Sequence, residues 1–180
     1  MTAEATRSTS PLTLDDPPTT TFDVQVVFIP PTTPGGSDYA FRFFGLSAPN
    51  NAKVQTPQAD FTLTLSVNGP GTVTFTADPI VWLLPGDQTE PIDRPDYITE
   101  PVATGSNQIA FTDFNPVDPE AAMVLVSFLV NVNYQPLSDD DSFLLLSSAG
   151  LAFFEDTFTS HDPTIINVDP TGSGKPTSAA

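Results

Sequence analysis

The sequence predicts an all-β domain: an antiparallel β-sandwich, immunoglobulin-like in the loose sense, with about eight or nine strands. Three observations predict it. Short apolar runs alternate with polar residues at a period of two, which places one face of an extended chain in a core. The runs recur at short intervals, separated by clusters of Gly, Pro, Asn and Asp. The prolines, 20 in 180 residues, fall between the runs, where they end strands without disrupting ladders.

The first strand is Phe22 to Ile29, in which Phe22, Val24, Val26 and Phe28 alternate with other residues until Pro30 and Pro31 end the run. After Pro34-Gly35-Gly36, Tyr39 to Leu46 sets Tyr39, Phe41 and Phe43 on one face and Arg42 on the other. Phe61 to Val67 and Thr72 to Ala77 alternate strictly on either side of Asn68-Gly-Pro-Gly71. Gly tolerates positive φ and Pro fixes its own, so this segment predicts a β-hairpin with Thr on its solvent face. Asp78-Pro79 then interrupts, and Ile80 to Leu84 forms a further, more uniformly apolar strand with Trp82 as a candidate core aromatic.

Residues 85–106 hold four prolines, five carboxylates and Arg94, and are expected to be a long connection without regular structure. Such loops are often functional, which makes this one the first candidate for a working surface. Asn107 to Asp113 is a short strand. Ala121 to Tyr134 is the longest run, apolar on both faces at first and alternating later, as in a central strand that emerges towards solvent. Residues 137–162 fit a helix capped at Ser138 or two short strands around Ser147 to Gly150, and Gly150 in mid-run favours the strands. Thr164 to Val168 closes the domain. Residues 1–19 and 169–180, rich in Thr, Ser, Pro and Gly, are expected to be tails around a single domain at 20–168.

Composition narrows the function. There is no Cys and His161 is the only histidine, so sites built on several soft or imidazole ligands are excluded. A Ser-His-Asp arrangement would have to use His161, in a turn, with no Gly-X-Ser-X-Gly to present a nucleophile. Gly172-Ser-Gly-Lys-Pro176 lacks the first glycine and the Ser/Thr of a phosphate loop. The net charge is −17, and Arg42, Lys53 and Arg94 are the only cations within 20–168. Such a field disfavours nucleic acid and anionic membrane surfaces, and no run reaches the ~20 apolar residues of a spanning helix. With no basic-then-apolar leader, the expectation is a cytoplasmic protein, or one exported without that signal.

No cofactor is expected, with calcium as the chemically reasonable ligand because it takes carboxylate and carbonyl oxygens from loops. The candidate ligands are Asp87, Glu90, Asp93 and Asp96 in the long connection, and Asp139, Asp140 and Asp141. Neither set has the helix–loop–helix calcium spacing, and a solvated turn is the better reading of each. Tyr39, Trp82, Tyr97 and Tyr134 are the aromatics that a carbohydrate-binding face would use. The leading expectation is a non-enzymatic binding or structural module that contacts a protein partner through loops or a sheet edge. A calcium-stabilised domain and a carbohydrate-active protein are the alternatives, and self-association through a sheet edge is open.

Acid-proline dipeptides recur: Asp78-Pro79, Glu90-Pro91, Glu100-Pro101, Asp118-Pro119, Asp162-Pro163 and Asp169-Pro170. Asp162-Pro-Thr-Ile-Ile-Asn-Val-Asp-Pro170 resembles the closing motif of the bacterial DP-EP family of small proteins, with Asp169 where that pattern has Glu. The resemblance implies a small bacterial β-domain and brings no activity or catalytic residues with it.

Overall fold

The computed structural model describes residues 17–32, 39–47, 50–84, 87–117, 123–135, 144–147 and 163–170. Eleven strands occur among them and no helix: β1 (Thr19–Ile29), β2 (Ala40–Phe44), β3 (Asn51–Val54), β4 (Gln58–Val67), β5 (Thr72–Leu84), β6 (Asp87–Ile92), β7 (Val102–Gly105), β8 (Gln108–Asp113), β9 (Val124–Gln135), β10 (Leu144–Ser147) and β11 (Thr164–Asn167). The first sheet has the order β2-β1-β4-β8-β7. The second has the order β3-β11-β9-β5-β6, with β10 also paired to β9. The expected sandwich is present with more strands than predicted, and its sheets are mixed. The β1–β4 and β3–β11 ladders are parallel and the others antiparallel.

Alternation in the sequence becomes burial in the fold. Val24, Val26 and Phe28 of β1, Ala59, Phe61, Leu63 and Leu65 of β4, and Ile109 and Phe111 of β8 form the inner face of the first sheet. Val126, Phe128, Val130, Val132 and Tyr134 of β9, Trp82 of β5 and Ile165 of β11 face them from the second. Phe61 stacks on Phe22 and on Phe111, at 4.8 and 4.9 Å between centroids, and Trp82 meets Phe111 edge-on at 5.5 Å. Offset and edge-to-face contacts of this kind are each worth about 0.5–1.5 kcal/mol beyond the burial itself. Trp82 is the core aromatic expected of it.

The hairpin predicted at Asn68–Gly71 is not formed. β4 pairs with β1 and β8 in the first sheet, and β5 pairs with β9 and β6 in the second. The turn is a corner that carries the chain across the core. Alternation fixes which face of a strand is apolar and says nothing about its neighbour, so two alternating strands satisfy it equally well face to face. Gly71 is required at this corner: its φ is 102°, and a Cβ there would lie 2.5 Å from the carbonyl oxygen of Gln135.

Asp78-Pro79 does not end a strand either. β5 runs through it, with four residues (76–79) bulging out opposite Asn131 alone: Phe75 pairs with Val132 and Ile80 with Val130. Thr76 Oγ1 and Asn131 Nδ2 both donate to the carbonyl of Asp78, at 2.7 and 3.1 Å, so the bulge keeps its exposed carbonyl satisfied. Of the region 137–162, the described part is β10, a strand that ends at Ser147. The rest of that region, His161 and most of the two expected tails lie outside the described residues.

Candidate binding edge

The acidic segment 85–106, expected to lack regular structure, is largely ordered into the fold. β6 turns back along β5, with Ile92 opposite Trp82 and Pro91 opposite Leu83. The prediction failed because Pro91 argues against a strand. Pro is tolerated on an edge strand, and β6 is one. Residues 93–101 then cross to the first sheet. Ile98 is buried and bridges Asp113; Thr99 N–H donates to Thr112 O at 2.9 Å, and Phe114 N–H to Tyr97 O at 2.8 Å. The Arg94 guanidinium donates to the carbonyl of Ile98.

This order does not gather carboxylates. Glu90, Asp93 and Asp96 are exposed, and among the described residues no three His, Cys, Asp or Glu side chains come together. The side chain of Asp87 and the whole of Asp139, Asp140 and Asp141 lie outside the described residues. Of the four candidate sugar-facing aromatics, Tyr39, Trp82 and Tyr134 are buried in the core and Tyr97 is half-buried, so they present no exposed platform.

Five strands, β2, β3, β6, β7 and β10, are paired on one side only among the described residues, and they differ in a way that bears on binding. A free edge exposes unpaired N–H and C=O groups, and natural proteins blunt it with charge or Pro. β2 carries Arg42 and β3 carries Lys53, both exposed; β6 carries Pro91 and Glu90. β7 is Val102-Ala-Thr-Gly105, with no charge and no Pro, and all four of its residues are exposed, Val102 at 57%. Its short length and the register shift before Gly105 limit what can pair with it to a few residues.

Beside β7 runs a groove of about 160 Å³ between the sheets, lined by Phe75, by Thr76, Ala77 and Pro79 of the β5 bulge, and by Pro101, Ala103, Ile109 and the polar Ser106 and Gln108. The bulge creates it by drawing β5 out of register opposite the β7 edge. A volume of this size is well below the ~300–1,000 Å³ of a small-molecule pocket and suits one or two side chains of a peptide.

A second polar feature lies inside the sandwich. Asp113 ends the inward row Ile109, Phe111, Asp113 of β8, and Asn167 ends the inward row Ile165, Asn167 of β11; both are fully buried. Asn167 Nδ2 donates to Asp113 Oδ2 at 2.9 Å, joining the two sheets. Next to it, Asn115 Nδ2 donates to the carbonyls of Thr56 and Val168, at 3.0 and 2.8 Å, and its Oδ1 accepts from Val117 N–H. Burial raises Asp113 to about 6, partly offset by the Asn167 bond. Burial and then the Asp113 charge raise Tyr97. Raised carboxylates often mark active sites, but this one is sealed from solvent and no substrate atom can reach it. Neither residue was singled out from the sequence, although parity along each strand carried the signal. No protein-family model matches the chain, and no curated protein matches it either.

Proposed function

We propose that this chain is a non-enzymatic binding module whose working surface is the β7 flank. A protein partner lays an extended segment along Val102–Gly105, adding a strand to the first sheet and setting a small apolar side chain into the adjacent groove. The single observation that carries this reading is the contrast among the strands paired on one side: three bear a charge or Pro, β7 and β10 bear neither, and it is β7 that is flanked by the groove. Strand addition draws its affinity from main-chain hydrogen bonds and its selectivity from pockets for alternate side chains. The flank supplies both. The charge of −17 favours a segment with basic flanks and opposes pairing of two identical copies.

The test is selection of random peptides on the full chain by display, followed by amide chemical-shift mapping of the selected peptides. Perturbations centred on Val102–Gly105, and at least a tenfold loss of affinity in Val102→Lys with unchanged melting, are expected. Peptides that map to β2, β3 or the loops, or that bind Val102→Lys as tightly, would overturn the reading. Light scattering that gives a dimer for the natural chain and a monomer for Val102→Lys would assign the edge to a second copy instead.

A further inference from the structure

The Asp113–Asn167 contact leaves two atoms unaccounted for. Asp113 Oδ1 and Asn167 Oδ1 are both buried and neither has a hydrogen-bond partner. Both are acceptors when Asp113 is ionised, so no rotation of either side chain can satisfy them together. An unsatisfied buried acceptor costs on the order of 1–3 kcal/mol, and two side by side would be an unusual defect in an otherwise well-paired end of the sandwich. One proton on the carboxyl group removes both faults, because it supplies the missing donor.

We propose that Asp113 is held as the neutral acid in the folded protein and donates its Oδ1–H to Asn167 Oδ1, closing a two-bond carboxyl–amide clasp between the sheets that opens when the acid ionises. The proton of one oxygen answers the amide carbonyl while the amide N–H answers the other oxygen, and no buried polar atom of the pair is left over. Ionisation returns both orphans and places a buried charge where no described cation faces it. Several charged and titratable groups lie on the surrounding elements. Asp60 of β4 accepts from Gln58 and Thr112 on the outer side of its strand, Lys53 and Asp96 are exposed, and Asp169 is half-buried beyond β11. Arg94 donates to carbonyls, and the Tyr97 phenol is protonated because its own titration is raised.

The direction of the pH effect follows from linkage. The folded state holds the proton to about pH 6, whereas the ordinary value is 3.8. The clasp therefore contributes fully below about pH 4 and its contribution is lost as pH rises through 6. The clasp also fixes Asp113 opposite Ile98, in the crossing that leads into β7, so loosening would reach the binding edge through residues 98–101.

The experiment is thermal unfolding of the full chain between pH 4.5 and 8, for the natural protein, Asp113→Asn and His161→Gln. In Asp113→Asn an amide N–H donates at every pH. The natural protein is expected to lose roughly 5 °C or more as pH rises from 4.5 to about 6, in a step that levels off above pH 6. Asp113→Asn should lack the step and melt higher at pH 8, and His161→Gln, which removes the only histidine, should retain it. A step that persists in Asp113→Asn, or that vanishes in His161→Gln, would overturn the proposal. Should Asp113→Asn not fold, the side-chain amide resonances of Asn167 in the natural protein decide: titration near pH 6 supports the clasp, and constancy from pH 5 to 8 refutes it.

Discussion

At one end of the sandwich, Phe28 of the first sheet meets Tyr134 of the second ring against ring, 5.0 Å between centroids. At the other end, Asp113 meets Asn167 through a 2.9 Å hydrogen bond. The aromatic end is built on area: Phe28 also touches Phe41 and Tyr39, and the only polar atom of Tyr134 is satisfied by donation to the Pro70 carbonyl at 2.9 Å. It should hold equally at any pH between 5 and 8. The polar end is built on a proton, and its strength should depend on whether that proton is present. The same kind of inward row, ending in Tyr on β9 and in Asp on β8, thus closes one end permanently and the other conditionally.

The comparison can be broken most severely at the aromatic end. Phe28→Ala should cost about 3–5 kcal/mol in denaturant melts, by the same amount at pH 5 and pH 8, since what it loses is ring contact with Tyr39, Phe41 and Tyr134. The converse holds for the clasp. Asp113→Asn should stabilise the protein at pH 8, about half as much at pH 5, and little near pH 4. A rise from 3.8 to about 6, at about 1.36 kcal/mol per pH unit, sets the gain at no more than about 3 kcal/mol.

Gly71→Ala should cost about 1–3 kcal/mol, because the new Cβ needs a positive φ and meets Gln135 O at 2.5 Å and the Tyr134 ring at 2.7 Å. Tyr134→Phe should cost about 1 kcal/mol, the worth of one part-buried hydrogen bond, and again without pH dependence. The smallest change in stability belongs to Val102→Lys, below about 0.5 kcal/mol by the same melts, since the side chain is exposed. That substitution should nevertheless remove peptide binding, which would separate the working edge from the structural ends.

What was legible in the sequence was face rather than neighbour. The alternations at Phe61–Val67 and Thr72–Ala77 fixed which side chains turn inward: Phe61, Leu63 and Leu65 are buried, and Val67, Val73 and Phe75 are half-buried against the core. They did not fix that the two strands lie in opposite sheets, because a turn rich in Gly and Pro serves a corner as well as a hairpin. The parallel pairing of β1 with β4, across the length of two intervening strands, leaves no local trace at all. Parity puts Asp113 and Asn167 on the inward rows of the strands read at Asn107–Asp113 and Thr164–Val168, but a polar residue at the end of a short strand reads as a turn residue until the fold buries it. The value of β7 as an edge could not be read, because Val102-Ala-Thr-Gly105 is an unremarkable string until topology puts it last in its sheet.

The most direct measurement is the titration of the Asp113 carboxyl carbon by ¹³C NMR in the intact chain. A midpoint near 6, together with the chemical shift of a protonated acid at pH 5, is the predicted result. A midpoint near 4, among the exposed aspartates, would mean that the polar end is closed by a buried carboxylate and that the two ends do not differ in the way described.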